Sequence, residues 1–209
     1  MRGPFRIEGY AIASADGMIA DETGGYPKSL RFDADQKYLR ESLDRAAIIV
    51  QGRNSGTGQP NWRKRLRLIM THEVASLAPH PDIPNARFWN PGGASLEEAC
   101  AAVGGARGTV AIIGGPEVYS YFLQIGYDDF HLSRAEIIYL PGGEPLFAKG
   151  HLGQKPEEVL ASAGLKPGPT QRLEDGVSLV DWRREPIRRA DRSSAARGSK
   201  PVDMDRGER

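Results

Sequence analysis

The chain has 209 residues, of which 39% are hydrophobic and 26% are charged, and its formal net charge is +1. This composition predicts one globular domain and argues against a general polyanion-binding role, so we expect no nucleic-acid partner. The single cysteine excludes an intramolecular disulfide and suits a cytoplasmic protein. No apolar run is long enough to cross a membrane, and the histidines lack ligand-like spacing, so we expect no membrane partner and no metal site.

The first third of the chain predicts a strand, a loop and a helix. The strand is "FRIEGYAIAS", which ends at the turn signal Asp16–Gly17. The polar segment "ADETGGYPKSLR" follows, and loops of this length are usually functional lids or disordered. A helix is then expected from Asp33, with Asp33 and Gln36 forming a capping box.

The middle of the chain alternates strands with helices. "AAIIVQGR" predicts a buried strand that runs into Gly52, and "RLRLIMTH" and "ARFWN" predict two more strands. In "RLRLIMTH", Arg65 and Arg67 alternate with leucines. This alternation is more typical of a solvated edge strand than of a phosphate site. "SLEEACAAV" predicts a helix with a capping box formed by Ser95 and Glu98.

The last elements complete an α/β pattern. "TVAIIGG" is a predicted strand, and "PEVYSYFLQIG" is a helix with Pro116 at its first position. "DDFHLSRAEI" is a further strand, and a closing antiparallel hairpin turns at Asp175–Gly176. This order predicts an α/β domain with a mostly parallel central sheet over residues 1–182.

The segment 183–209 differs in character. It has almost no large apolar residues and many Arg, Ser, Asp and Gly, so it cannot offset the entropy of ordering. We predict a disordered tail. A nucleic-acid-binding arm is the alternative, but interspersed acidic residues weaken it.

Three predicted strands end in small or polar residues, where parallel sheets bind ligands. Glycine lets a backbone approach a ligand, and the helix that starts at Pro116 favours phosphate at its N-terminus. The sequence therefore predicts a nucleotide-like ligand at this edge of the sheet. A tight strand-to-helix turn at Gly114–Gly115 is the alternative, because no dinucleotide fingerprint or Walker A loop is present. The strand-end residues are Gly52, Arg53, Asn54 and Ser55 after one strand, Thr71 and His72 after the next, and Gly114 and Gly115 after the third.

A set of segments in order, "IASADGMIA", "ADQKYLRESLDRAAIIVQGR", "LIMTH", "VAIIGGPEVYSYFL", "HLSRAEI" and "GGEPLFA", resembles the dihydrofolate reductase superfamily. The resemblance runs from about Arg6 to Trp182. It is greatest to the reductase domain of the riboflavin-biosynthesis deaminase-reductase. It implies a dihydrofolate reductase-like fold, with helices on both faces of the sheet and a C-terminal antiparallel hairpin.

The resemblance also implies NADPH as the cofactor. It implies a cis peptide bond at Gly114–Gly115 against the cofactor, phosphate contacts from Gly52 and Arg53, and contacts from Thr71 and His72 to the adenosine 2′-phosphate. Further cofactor contacts are implied for residues of the first strand, its following loop and the helix after the glycine pair. These are Ala11, Ala13, Ile19, Glu117, Val118 and Tyr119.

The catalytic acid has two interpretations. By position, Asp35 matches the carboxylate that anchors the substrate and assists protonation in dihydrofolate reductases, and Ser133 matches the threonine that supports it. The alternative is that Asp35 only interacts with the helix dipole, because the spacing from Asp35 to Gly52 and Arg53 is one residue longer than in the family.

The resulting expectation is an NADPH-dependent reductase of a pterin-like or pyrimidine-like small molecule, of the riboflavin-pathway type. The chain lacks a deaminase zinc motif, so we expect a stand-alone reductase-like domain. The resemblance allows a homodimer. A true dihydrofolate reductase and a non-catalytic nucleotide-binding module stay as alternatives.

Overall fold

The computed structural model describes residues 4–53, 61–148, 151 and 153–185. The predictions for Asn54, Ser55 and the segment 186–209 lie outside these residues. The described residues form four α-helices, which are α1 (Asp33–Arg45), α2 (Leu96–Ala102), α3 (Pro116–Ile125) and α4 (Pro156–Ser162). They also form eleven strands, which are β1 (Phe5–Ser14), β2 (Met18–Ala20), β3 (Ile48–Gly52), β4 (Arg67–Met70), β5 (Leu77–Pro79), β6 (Ala86–Trp89), β7 (Gly108–Ile112), β8 (Asp129–Ala135), β9 (Glu144–Pro145), β10 (Leu165–Glu174) and β11 (Val177–Arg184).

Nine of these strands form one sheet in the order β10-β11-β8-β1-β7-β3-β4-β6-β5. The six strands from β8 to β6 in this order run parallel, and β11, β10 and β5 add antiparallel pairs at the two sides. The short strands β2 and β9 form a separate antiparallel pair. The predicted α/β fold with a mostly parallel sheet and a closing hairpin is confirmed.

Helices cover both faces of the sheet because its central strands are apolar on both sides. On one face, α1 places Leu43 against Tyr10 and Ile49. On the other, α2, α3 and α4 contribute to the main core, where Cys100, Phe122 and other side chains are fully buried. No helix in the described part of the chain is long and apolar enough to span a membrane.

The start of α1 differs from the prediction. The helix begins at Asp33, but its N-cap is Phe32 and no side chain caps it from that position, so the predicted Asp33–Gln36 capping box is wrong. Instead, the Ala34 N–H donates to Glu174 Oε2 of β10 at 2.9 Å. A side chain distant in sequence thus satisfies an N–H group that helix geometry leaves without a partner. The predicted capping box of α2 is confirmed at Ser95 and Glu98.

The arginines of β4 also differ from the prediction, because β4 lies inside the sheet between β3 and β6. Arg67 is 1% exposed, and its guanidinium donates to Gln51 Oε1 on β3. Arg65 donates from Nη2 to Asp44 Oδ1 at 2.7 Å. Burial, with Arg65 nearby, lowers the pKa of Arg67 to about 10, so it keeps its charge at neutral pH. The predicted solvated edge strand is therefore wrong.

The hairpin continues two residues past the boundary predicted at Trp182. The Arg184 N–H donates to Asp128 O, and its guanidinium donates to Tyr127 O and Ala163 O, each at 2.9 Å. Strand β11 therefore extends to Arg184, two residues beyond the domain boundary expected from the sequence.

Candidate active site

A cavity of about 920 Å³ opens where the carboxyl ends of β3, β4 and β7 meet. Its walls come from β1, β8, α1 and the start of α3, and β2 and β9 contribute Ile19 and Glu144. This is the edge at which the alternation of strands and helices predicted a ligand. The cavity lining combines apolar, aromatic and charged side chains, as ligand sites generally do.

The glycine pair forms the wall between β7 and α3. The bond Gly114–Gly115 is cis, as the resemblance implied. The Gly52 N–H donates to Gly114 O at 2.7 Å, which joins the ends of β3 and β7. A Cβ atom added at Gly115 would meet no atom within 4 Å, so Gly115 borders open space. A Cβ added at Gly114, where φ is +114°, would lie 3.2 Å from the Tyr119 ring.

Polar residues follow β3 and β4 on the same side of the cavity. The strands pair with Gly52 opposite Met70, so Arg53 faces the residues that follow β4. Arg53 forms an ion pair with Glu73, and the Glu73 N–H donates to Thr71 Oγ1 at 3.2 Å. His72 also lines the cavity.

Asp35 lies in the first turn of α1 and is 6% exposed. It lines the cavity together with Ser133 of β8. Burial raises the pKa of Asp35, the hydrogen bond from Ser133 opposes that rise, and the negative charge of Glu174 adds to it. A carboxyl group in such a position keeps its proton to higher pH than an ordinary aspartate.

Next to Ser133, the cavity is lined by Tyr10, Tyr38 and His131. The rings of Tyr10 and His131 stack with centroids 4.5 Å apart. His131 Nδ1 lies 2.8 Å from the Tyr38 hydroxyl and 2.7 Å from Asp181 Oδ1. Burial raises the pKa of both tyrosines, so their hydroxyl groups stay protonated at neutral pH.

The structure brings nearly all the described site candidates to this one cavity. The two candidates outside the described residues are Asn54 and Ser55. Ala13 does not line the cavity, because it is fully buried in the main core. The candidates that line the cavity are Ala11, Ile19, Asp35, Gly52, Arg53, Thr71, His72, Gly114, Gly115, Glu117, Val118, Tyr119 and Ser133.

Tyr10, Tyr38 and His131 have no functional prediction from the sequence. Tyr10 and His131 are register partners on the neighbouring strands β1 and β8, and the structure is needed to show this register. When the register of β1 and β8 is not known, each of the three residues is interpreted as an ordinary core or surface residue. Among the described residues, no group of three or more His, Cys, Asp or Glu side chains could hold a metal ion.

Solved structures with a similar fold are known, although no protein-family model and no curated protein matches the chain. A Thermotoga maritima diaminohydroxyphosphoribosylaminopyrimidine deaminase/5-amino-6-(5-phosphoribosylamino)uracil reductase is 14% identical with a TM-score of 0.61, over 86% of this chain and 56% of that protein. A Shewanella sp. PV-4 protein assigned to riboflavin biosynthesis is 18% identical with a TM-score of 0.60, over 87% of this chain and 99% of that protein.

An Enterococcus faecalis dihydrofolate reductase, solved with NADP(H) and the compound RAB-propyl, is 16% identical with a TM-score of 0.56, over 87% of this chain and 97% of that protein. All three similarities are at the level of the fold. The chain therefore has a dihydrofolate reductase-like fold, as its sequence motifs implied. It spans only about half the length of the Thermotoga protein.

Proposed function

We propose that this protein is an NADPH-dependent reductase of a pterin-like or pyrimidine-like small molecule, similar to 5-amino-6-(5-phosphoribosylamino)uracil reductases. The observation that carries the proposal is the presence of a buried acid in the same cavity as an open glycine wall. Asp35, with Ser133, lines one part of this cavity, and Gly114–Gly115 lines another. A proton donor and a place for a flat ring system thus share one space.

The residues present fit a dinucleotide. The space beside Gly115 is free of protein atoms within 4 Å of an added Cβ, so a ring or a pyrophosphate can approach the backbone. The first turn of α3 begins at Pro116 next to that space, and its positive end favours an anion. Arg53, Thr71 and His72 supply a cation, a hydroxyl and an imidazole for phosphate oxygens.

In this proposal NADPH supplies the hydride, and the chain supplies position and a proton. Asp35 holds a proton through its raised pKa and gives it to a basic nitrogen of the substrate. Ser133, which lines the cavity with Asp35, is assigned to orient this carboxyl group. The apolar side chains Ile19 and Val118 limit the access of water to the cavity.

A second candidate is a true dihydrofolate reductase. The contact between Asp35 and Ser133 favours it, because the resemblance assigns these positions to the acid and its supporting hydroxyl in that group. A non-catalytic nucleotide-binding module is less well supported, since a buried acid inside the cavity costs stability that a binding function alone does not require.

The test measures NADPH binding by titration and NADPH oxidation by absorbance, with dihydrofolate and a ribosylated diaminopyrimidine as substrates. Wild-type protein is compared with Gly115→Ala, which adds a methyl group to the open space without a contact in the protein. We expect an unchanged melting temperature and a loss of NADPH affinity of about five- to hundred-fold, equivalent to about 1 to 3 kcal/mol of overpacking.

Gly114→Ala is the matched control. Its Cβ would meet Tyr119 and its φ of +114° is unfavourable for alanine, so we expect a lower melting temperature. Wild-type NADPH affinity in Gly115→Ala would show that the cofactor site is wrongly assigned. NADPH binding without oxidation of either substrate would favour a different substrate or the binding module.

A further inference from the structure

An acidic side chain lies beside the residues that the resemblance assigns to contacts with cofactor phosphates. Arg53 follows β3 and Glu73 follows β4, and the two side chains form an ion pair at the cavity wall. The Glu73 N–H is bound to Thr71 Oγ1 at 3.2 Å, so the backbone of Glu73 is held beside Thr71. The residues assigned to phosphate recognition therefore include a carboxylate that already neutralises the arginine.

We propose that Glu73 is a specificity-determining residue that lowers the preference of this protein for NADPH over NADH. This inference rests on the proposed function, because it assumes that a nicotinamide dinucleotide occupies the cavity. A 2′-phosphate has to share Arg53 with Glu73 and lies close to a like charge. NADH carries a ribose hydroxyl at that position, which donates to a carboxylate, as acidic residues do in NAD sites of other folds.

The size of the effect follows from the exposure of the pair. The side chains of Arg53 and Glu73 are 49% and 65% exposed. Water and salt screen charges at such positions, so single exposed pairs contribute up to about 1 kcal/mol. The expected change in selectivity is therefore about two- to five-fold, and it is larger at low ionic strength.

Glu73→Gln tests the inference because it removes the charge and keeps the size of the side chain. Glu41→Gln is the matched control, since Glu41 is 57% exposed, pairs with Lys37 at 4.0 Å on α1, and does not line the cavity. Dissociation constants for NADPH and NADH are measured on both variants and on the wild type at low and high salt. Binding of 2′,5′-ADP and 5′-AMP is measured in parallel, so that recognition of the 2′-phosphate is read without the nicotinamide.

We expect Glu73→Gln to raise the ratio of NADPH to NADH affinity by about two- to five-fold at low salt, with a smaller effect at high salt and none in Glu41→Gln. The affinity for 2′,5′-ADP should rise in the same proportion. Unchanged ratios overturn the inference but leave the reductase proposal intact. Weaker NADPH binding in Glu73→Gln also overturns it, because Glu73 would then orient Arg53 for the phosphate. Failure of the wild type to bind either dinucleotide overturns both proposals.

Discussion

At the scale of single residues, Asp35 combines a cost to stability with the proton-donor role that we propose for it. The unfolded chain releases this proton near the ordinary pKa of 3.8, whereas burial makes the folded chain hold it to higher pH. Between these two pKa values the folded state binds more protons than the unfolded state, so stability falls as the pH rises. Above the folded pKa, the protein carries the full cost of a buried carboxylate.

Asp35→Asn should therefore increase stability at neutral pH while it removes activity. Asparagine has no charge to bury, and its side chain is nearly the same size. We expect a melting temperature about 2 to 4 °C above wild type at pH 7, equivalent to about 1 kcal/mol, and turnover lower by about 10²-fold or more. Melts across a pH series should show the two proteins converging below pH 3.8, where the wild-type carboxyl is neutral in both states.

The control for this prediction is Asp33→Asn in the same helical turn. Asp33 is exposed and does not line the cavity, so its loss should leave turnover unchanged and lower stability only slightly, through the helix dipole. If Asp35→Asn were less stable than wild type at pH 7, the ionised carboxylate would be a favourable structural group. The proton-donor role would then lose its physical basis.

Single residues differ in how far the sequence could predict them. The glycines and the polar residues after β3 and β4 were expected at one site because parallel strands end at one edge, and the described ones line one cavity. Tyr10 and His131 were not, because stacking depends on the register between β1 and β8. Ala13 was assigned to the cofactor from its position along β1, but its side chain is enclosed in the core.

At the scale of elements, the hairpin and α1 depend on each other. Glu174 at the end of β10 accepts the Ala34 N–H at 2.9 Å, and its charge adds to the raised pKa of Asp35. The closing hairpin therefore both fixes the start of α1 and adjusts the acid that α1 carries. No local pattern around Asp33 could reveal this, because the partner lies 140 residues further along the chain.

Two substitutions of Glu174 should separate these roles. Glu174→Gln keeps an oxygen acceptor for Ala34 but removes the charge, so the pKa of Asp35 should fall with little change in stability. If protonated Asp35 is required, the decline of activity with rising pH then begins at lower pH, which a pH profile of NADPH oxidation measures. Glu174→Ala removes the acceptor too, and should cost about 1 kcal/mol, a drop of about 2 to 4 °C in melting temperature. An unshifted profile in Glu174→Gln would contradict the electrostatic link.

Long helices and strands were easier to predict from the sequence than short ones. The six parallel strands, together with α1 and α3, carry apolar patterns that stand out in the sequence. The strands β2, β5 and β9 have two or three residues each, which is too short to show a period. In addition, β2 and β9 pair with each other although they lie far apart in the chain. Helix α4 was also missed, although Pro156 followed by two glutamates is a recognisable helix start.

At the scale of the whole molecule, the order of motifs predicted the fold although solved structures of similar fold share only 14 to 18% of their residues with this chain. A fold is specified by many apolar positions that tolerate exchange. A ligand pocket depends on a few side chains, such as Tyr38, whose identities the fold leaves open. The similarity to these structures therefore shows the fold, and measurements of binding and turnover decide the activity and the substrate.

The C-terminal boundary predicted for the domain gives the last prediction. A chain that ends after Glu185 should keep the melting temperature within about 1 °C of the full-length value, because the sequence beyond it has only Ile187, Val202 and Met204 as large apolar residues. A chain that ends after Trp182 should melt several degrees lower. It loses the Arg184 hydrogen bonds to Asp128, Tyr127 and Ala163, which connect β11 to the start of β8 and the end of α4.

Melting curves and NADPH titrations on both truncated proteins test this prediction. A large loss of stability in the longer truncated protein would mean that the segment 186–209 packs on the domain or on a second copy of it.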